Sequence, residues 1–408
     1  MLPKMITTPL GRIVFVISIL FLDNVGAEQF GLFTYREVDG TVEITSFPKD
    51  LEIHVDIPAE IDGKPVVAIT GNGAADPNEF EGAFSFSQIT SVTIPESVTT
   101  IGRFAFGVCS KLTSVSFPDS VTTVEDEAFY QCHGLIRVTL GEGVTSIGKL
   151  AFFRNSSLAF LNLPDSLTTV GERAFEGCAF TSLSFGQNLA SLGTGTFFRC
   201  TKLRSIVFRS TLGFMGAYCF GDCDALIAAV FLGNAPGVSG SSNVFMRADP
   251  GFVVYFLNGN TGFTTPTWVP VNTPGGSDSY ATQPLERVLT NSEVWLLGHG
   301  LPMNTDLNLD PNGDGVNHLM AYALALDPNA GFISNPLEPT LDSDVLGITF
   351  FAGRDDVAYT PQTSNDLDNW TTDGLTLSEL DSEGRRTASV SRSQPRRYLR
   401  LLLALDEP

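Results

Sequence analysis

The residues of this 408-residue chain whose types and spacing could do chemistry are oxygen donors toward its carboxyl end. Asp306-Leu307-Asn308-Leu309-Asp310-Pro311-Asn312-Gly313-Asp314-Gly315-Val316 places oxygen-bearing side chains at alternate positions and a glycine where a loop must turn sharply. Asp310, Asn312, Asp314 and Gly315 fit positions 1, 3, 5 and 6 of a calcium loop, with the Val316 carbonyl at 7, since a hard cation draws oxygens from a chain that curls around it. Position 12 falls on Ala321, where a bidentate Glu is expected, so the strongest single ligand is missing. The expectation is one structural calcium ion, weakly held, and no other cofactor. The competing reading of the same oxygens is an Asx-rich turn with a helix cap and no metal.

Catalytic constellations are not legible. The four histidines, His54, His133, His299 and His318, lie in unlike segments, and none sits in H-E-x-x-H or beside a nucleophile motif. A phosphate-binding loop, a dinucleotide glycine fingerprint and G-x-S-x-G are all lacking. The carboxylates Glu96, Asp119, Asp165 and Glu172 read as turns and solvated faces. No catalytic residue is expected, and the chain reads as a non-enzyme.

The frame that must carry any site is a repeat. Between Ile89 and Leu226, Val92, Val115, Val138, Leu161, Leu183 and Ile206 hold one place, and Phe106, Phe129, Phe152, Phe175, Phe197 and Phe220 another, at a period of 22 or 23 residues. A fixed apolar frame with a changing polar filling is the signature of a solenoid. In the copy from Ser114 to Phe129, Val115 and Phe117 alternate with hydroxyl residues as a short strand. Pro118-Asp119 turns the chain, Val121 and Val124 begin a second stretch, and Phe129 returns a ring to the core. Cys109, Cys132, Cys178, Cys200 and Cys223 follow the phenylalanine by three residues, where other copies have Asn155 and Ser87. A place shared by Cys, Asn and Ser reads as small and buried rather than as half of a disulfide.

The pattern Ile94-Pro95-Glu96-Ser97-Val98-Thr99-Thr100-Ile101-Gly102, then Ala105-Phe106 and Cys109, resembles the BspA-like bacterial leucine-rich repeats. Ile57-Pro58 with Ile61-Asp62-Gly63-Lys64-Pro65-Val66 is similar to the way such domains begin. The resemblance covers about residues 30 to 270 and implies a right-handed solenoid in a secreted or surface protein with adhesion or protein binding as its work. Asp310-Pro-Asn-Gly-Asp-Gly-Val, followed by Tyr322-Ala323-Leu324-Ala325-Leu326-Asp327-Pro328, resembles a carboxy-terminal module of exported proteins from Verrucomicrobia-like bacteria, whose typical copies carry Glu at the place of Ala321.

The expected fold is mainly β: a leucine-rich-repeat solenoid of seven or eight rungs, then a small β-rich domain with one helix after the calcium-loop-like segment. The boundaries are a signal peptide over 1–27, an amino-terminal cap and irregular first repeat over 28–88, and regular repeats over 89–232. A degenerate repeat and carboxyl cap over 233–263, a linker over 264–284, the loop and helix over 285–330, and a β-sandwich-like module over 331–408 complete the chain. The signal reading rests on Lys4 and Arg12, the apolar core Ile13–Leu22 and the small residues Val25-Gly26-Ala27, with cleavage after Ala27. That core is too short for a bilayer of about 30 Å, so no membrane anchor is expected after cleavage, and the chain should be secreted or held at the cell surface. Acidic residues outnumber basic ones 45 to 24, a net charge of -21, which argues against nucleic acid as a partner.

The expected binding face is the outward row of the strands: Ser91 and Thr93, Ser114 and Ser116, Arg137 and Thr139, Phe160 and Asn162, Ser182 and Ser184, Ser205 and Val207. Most are small and hydroxylated, and Arg137 and Phe160 alone interrupt the row on neighbouring rungs as candidate partner-binding residues. The partner expected is a protein or cell-surface ligand. The alternative is an accessory role in which the carboxy-terminal β module binds a glycan and the solenoid is a spacer.

Overall fold

The structure, a computed structural model, describes residues 28–71, 81–209, 212–239, 243–270, 279–308, 319, 338–341, 345–352, 357–364, 369–380, 385–391 and 398–405. The signal segment 1–27, the calcium-loop residues Asp310, Asn312, Asp314 and Val316, and Ala321 lie outside them. The chain is mainly β, a solenoid of about nine turns over residues 42–256 followed by a β-rich region.

Each turn has three sides. The first is a short strand: Ser114–Ser116, Arg137–Thr139 and Phe160–Asn162 pair in parallel, with Val115, Val138 and Leu161 in one register. The second is a strand of two residues; Thr100–Ile101, Thr123–Val124, Ser146–Ile147, Thr169–Val170 and Ser191–Leu192 pair in parallel and continue to Gly237–Val238. The third side is not a strand. Phe104, Val108, Glu127, Gln131, Leu150 and Arg154, placed two residues before and two after the repeat phenylalanine, all have φ between 54° and 59°. Within each turn the left-handed residues are four apart, and alternate amides point at the next turn: Phe129 N donates to Ala151 O at 2.7 Å and Phe152 N to Ala174 O at 2.7 Å. Hydropathy periodicity reports side chains rather than φ, which is why this ladder is not evident from sequence.

The core is a set of files. Phe84, Phe106, Phe129, Phe152, Phe175, Phe197 and Phe220 stack with centroids 4.9 to 5.4 Å apart and nearly parallel planes. A second file, Phe185, Phe208 and Phe231, sets its rings edge-on to the first. Backbone stacking at about 4.8 Å puts like residues at contact distance, and face-to-face rings at that separation satisfy dispersion. All six cysteines are free and buried, as the repeat position predicts for Cys109, Cys132, Cys178, Cys200 and Cys223; Cys219, one residue before Phe220, lies outside that series. The five thiols of the series donate hydrogen bonds to carbonyls of the phenylalanine file, Cys132 Sγ to Phe106 O at 2.9 Å and Cys109 Sγ to Phe84 O at 3.0 Å among them. Burial pushes the Cys200 thiol up to about 12 and holds those of Cys132 and Cys178 well above the ordinary value, so they are not nucleophiles.

At the amino end, Phe33–Val38 and Thr41–Ser46 form a hairpin whose turn residues Asp39 and Gly40 have φ of 49° and 81°, the backbone that an Asp-Gly pair favours. Thr41–Ser46 then runs parallel to Lys64–Ile69 and caps the second side. At the carboxyl end, where a linker over 264–284 is expected, Tyr280–Leu285 pairs in parallel with Val253–Leu257, and Thr267–Trp268 closes the edge antiparallel to it. The ladder thus extends past the last recognisable repeat, because a strand edge accepts any backbone and does not require the phenylalanine frame.

A helix not anticipated from the sequence follows. α1, Asn291–Gly298, starts from a capping box in which the Thr290 side chain accepts from Glu293 N and Glu293 accepts from Thr290 N. Val294 packs with Val207, Val230 and Leu285 of the solenoid. On its other side Trp295 and Leu296 join Ile348, Phe350, Val357 and Ala388 of the carboxy-terminal sheets. Those sheets are Glu338–Leu341, Val345–Phe351, Arg385–Ser391 and Leu375–Leu377 in one, and Val357–Ser364 with Tyr398–Leu405 in the other. The helix expected over 317–326 lies outside the described residues apart from Leu319. No helix among the described residues is long and apolar enough to cross a membrane.

Removing one ring from the file should open a cavity: Phe152→Ala is expected to lower unfolding free energy by about 3–5 kcal/mol in urea titration. Asn155 fills a cysteine place fully buried, with neither amide atom hydrogen-bonded among the described residues. Asn155→Cys, which restores the thiol file, should therefore stabilise the chain by about 1–3 kcal/mol in the same assay.

Candidate functional site

The first-side strands present their outward residues as two columns. Register places Ser114, Arg137 and Phe160 in one column and Ser116, Thr139 and Asn162 in the other. Arg137 and Phe160 are direct Cα partners, and the Arg137 guanidinium carbon lies 4.4 Å from the Phe160 ring centroid. Both side chains are half-buried. A guanidinium on the negative face of a ring is held by the ring quadrupole, so the two residues form one flat, cationic-aromatic patch rather than two separate anchors. The ring face under Arg137 is already covered.

Asn162, read from sequence only as a small polar position, has a structural part here. Its Oδ1 accepts from Leu140 N at 2.6 Å and its Nδ2 donates to Leu140 O at 3.1 Å. This amide imitates a strand at the end of Arg137–Thr139, at the rung where the three-stranded sheet stops and the next sheet begins with Ser182–Phe185. The next interval shortens from 23 residues, Val138 to Leu161, to 22, Leu161 to Leu183.

The outward row is shorter than the sequence suggests. Ser205 and Val207 face outward, but both are buried, together with Ala228 and Val230 on the next rung, because α1 lies over them. Arg204 Nε donates to Gly298 O at 2.6 Å, and a Cβ on Gly298 would stand 2.8 Å from Ser205 Oγ. The open face therefore runs from the amino cap to Ser182–Phe185 and ends against the helix. Arg209 reaches back to this face and donates from Nε to Ser184 Oγ at 3.1 Å.

At the opposite end, His54 joins residues that sequence spacing keeps apart. His54 Nδ1 lies 2.7 Å from Ser91 Oγ, and Nε2 lies 2.9 Å from Asp56 Oδ1 and 3.2 Å from Thr93 Oγ1. Strand pairing creates this set, since His54–Asp56 runs parallel to Ser91–Thr93 with His54 opposite Ser91. The residue types are those of a hydrolytic triad. They stand on an exposed two-stranded face, where charge developing on a substrate oxygen would meet water, so the arrangement serves as a cross-strand hydrogen-bond chain. The hydrogen bonds from His54 and Thr93 lower the Asp56 carboxyl below its ordinary 3.8.

On the second side, Thr123, Ser146 and Thr169 floor a shallow, open depression of about 550 Å³ with Arg103 and Lys149 on its rim. Both cations are engaged, Arg103 with Glu127 at 2.9 Å and Lys149 with Glu172 at 3.3 Å. Among the described residues, no group of three or more His, Cys, Asp and Glu could hold a metal ion.

Residues 80–160 and 135–245 match the family model of the BspA type leucine-rich repeat region, in six copies. The fold is also similar to solved bacterial structures. A leucine-rich repeat protein from Bacteroides ovatus is 23% identical, with 56% of this chain and 70% of that one covered and a TM-score of 0.38. The leucine-rich repeat protein of T. pallidum is 25% identical, with 54% and 89% covered and a TM-score of 0.39. A leucine-rich cell surface protein from Faecalibacterium prausnitzii is 22% identical, with 57% and 76% covered and a TM-score of 0.35. No curated protein matches the chain.

Because the Asp56 carboxyl is lowered in the folded chain, its contribution is present above the ordinary carboxylate range and is lost as pH falls through the folded value. Amide exchange at Val55 and Val92 should accordingly quicken below about pH 4 in the wild type but show no such step in Asp56→Asn.

Proposed function

With residues 80–245 a BspA type leucine-rich repeat region, we propose that the chain is a non-enzymatic binding protein that engages a protein or cell-surface ligand through the open face of its first-side strands. The observation that carries this reading is the Arg137–Phe160 patch. Small hydroxyl side chains surround it, so a partner can lie flat on the sheet and concentrate contact there. Arg and aromatic residues packed at the centre of a patch, with an outer ring of weak contacts, are the composition of binding hot spots. The amino cap and α1 bound the face and set the footprint of the partner. Secretion or surface display belongs to the same reading and rests on the family and on the leader-like residues Lys4 to Ala27.

The reading in which the carboxy-terminal module binds a glycan needs an open aromatic platform. At Trp370 the Arg400 guanidinium stands 4.2 Å from the ring centroid, and Gln362 Oε1 accepts from Arg400 Nε and Nη2. That contact covers one ring face, where a sugar would otherwise stack.

Protein and glycan arrays probed with the full chain and with Arg137→Ala/Phe160→Ala test the proposal. At least one protein ligand should bind the wild type and lose about 30-fold or more in affinity in the double variant, the scale of a hot spot of 2 kcal/mol or more. Ligands held equally well by both chains would sink it.

The calcium reading is carried forward from the sequence, with Asp310, Asn312 and Asp314 side chains and the Val316 carbonyl as ligands. Calorimetry of the full chain should show weak binding, with Kd above about 0.1 mM in the absence of a position-12 Glu, and Ala321→Glu should tighten it. Absence of heat in both chains at millimolar calcium would refute the site.

A further inference from the structure

The third side of the solenoid carries a feature that the first-side reading does not use. Two residues after the repeat phenylalanine, successive turns place Arg154, Gly177 and Arg199 in one column, each with left-handed backbone, φ 55°, 72° and 59°. Backbone bonds fix their order, with Arg154 N donating to Glu176 O at 2.7 Å and Gly177 N to Phe198 O at 2.9 Å. The left-handed turns throw both arginines outward, and both are exposed.

Each guanidinium has a seat. The Arg154 carbon lies 5.0 Å from the Phe153 ring centroid and the Arg199 carbon 5.1 Å from that of Phe198. Between them Gly177 leaves a notch: a Cβ there would meet only Arg154 Cγ at 3.7 Å and Arg154 Cα at 3.8 Å. The nearby Arg173 is committed to the buried Glu176 carboxylate, and Arg199 shares Asp222, at 3.6 Å, with Arg247. Arg173, Arg199 and Arg247 are thus engaged by Glu176 and Asp222, with Glu172 also facing Arg173. Arg154 has no carboxylate within ion-pair distance among the described residues, so its charge is available.

We propose that Arg154 and Arg199, on either side of the Gly177 notch, form a second binding site for the anionic groups of an acidic polysaccharide. The spacing selects the polymer. Two turns at about 4.8 Å set the arginine backbones roughly 10 Å apart, a separation suited to acidic groups borne two sugars apart along an extended polysaccharide. An extended peptide presents same-face side chains at about 6.7 Å, out of step with this column. The shared chemistry is a carboxylate or sulfate accepting paired hydrogen bonds from guanidinium, which favours planar, bidentate contact. This site is independent of the Arg137–Phe160 patch, since it lies on a different side of each turn.

Titration of the full chain with polygalacturonate, heparin, dextran and polyglutamate tests the proposal. Polygalacturonate or heparin should bind, which also tells carboxylate from sulfate preference, and dextran should not. Binding should weaken as salt rises from about 0.1 to about 1 M, as the Debye length falls from about 10 to about 3 Å. Arg154→Gln/Arg199→Gln should cost about tenfold or more in affinity in the folded variant, whereas Arg137→Ala should leave polysaccharide affinity unchanged. Gly177→Asn, a residue that tolerates this backbone, fills the notch and should weaken binding about threefold; it decides the matter if the double variant fails to fold. The proposal is overturned if neither acidic polysaccharide binds, if polyglutamate binds as tightly, or if the folded Arg154/Arg199 and Gly177 variants bind like the wild type.

Discussion

The structure depends on contact between like residues of successive turns. One turn of 22 or 23 residues has too little apolar surface to form a core, since its phenylalanine ring has two faces and its own turn covers neither. Stacking supplies both. Phe152 lies between Phe129 and Phe175 at 5.1 Å on each side, and the same repeat brings the backbone amides into bonding distance. Ring stacking and hydrogen bonding therefore demand one spacing, and stability accumulates turn by turn.

That spacing also governs the surface. Any residue at a given place in the repeat must stand about 4.8 Å from its counterpart in the next turn. Arg137 on Phe160, Asn162 against Leu140, His54 against Ser91 and the Arg154–Gly177–Arg199 column are all consequences of register. The solenoid makes linear arrays on three sides, and departures from small polar residues stand out along an array. α1 ends one array by placing Val294 over Val207 and Val230. The apolar outward residues of those last rungs suit a covered surface, just as the hydroxyl row before them suits an open one.

Much of the frame was legible in the sequence because a repeat states the same packing requirement many times. The phenylalanine and cysteine files and the two strand sides could all be read this way. Other elements carried no such signal. α1 is short and apolar on both sides, because it is packed between two bodies rather than lying at a surface with a wet face. The strand Tyr280–Leu285 includes Pro284 and lies among turn-forming residues, and it pairs only because the last rung offers it an edge.

Sequence by itself determined the period, the inward residues and the neighbouring places of Arg137 and Phe160, since each is a matter of spacing along one chain. Tertiary structure decided that Arg137 rests on the Phe160 ring, that Ser205 and Val207 lie beneath α1, and that His54 meets Ser91 across 37 residues. It also decided that the third side turns left-handed and carries Arg154 and Arg199 outward. The physical reason is that hydropathy reports whether a residue is buried, whereas side-chain direction follows from φ and ψ, and cover follows from which distant segment packs above.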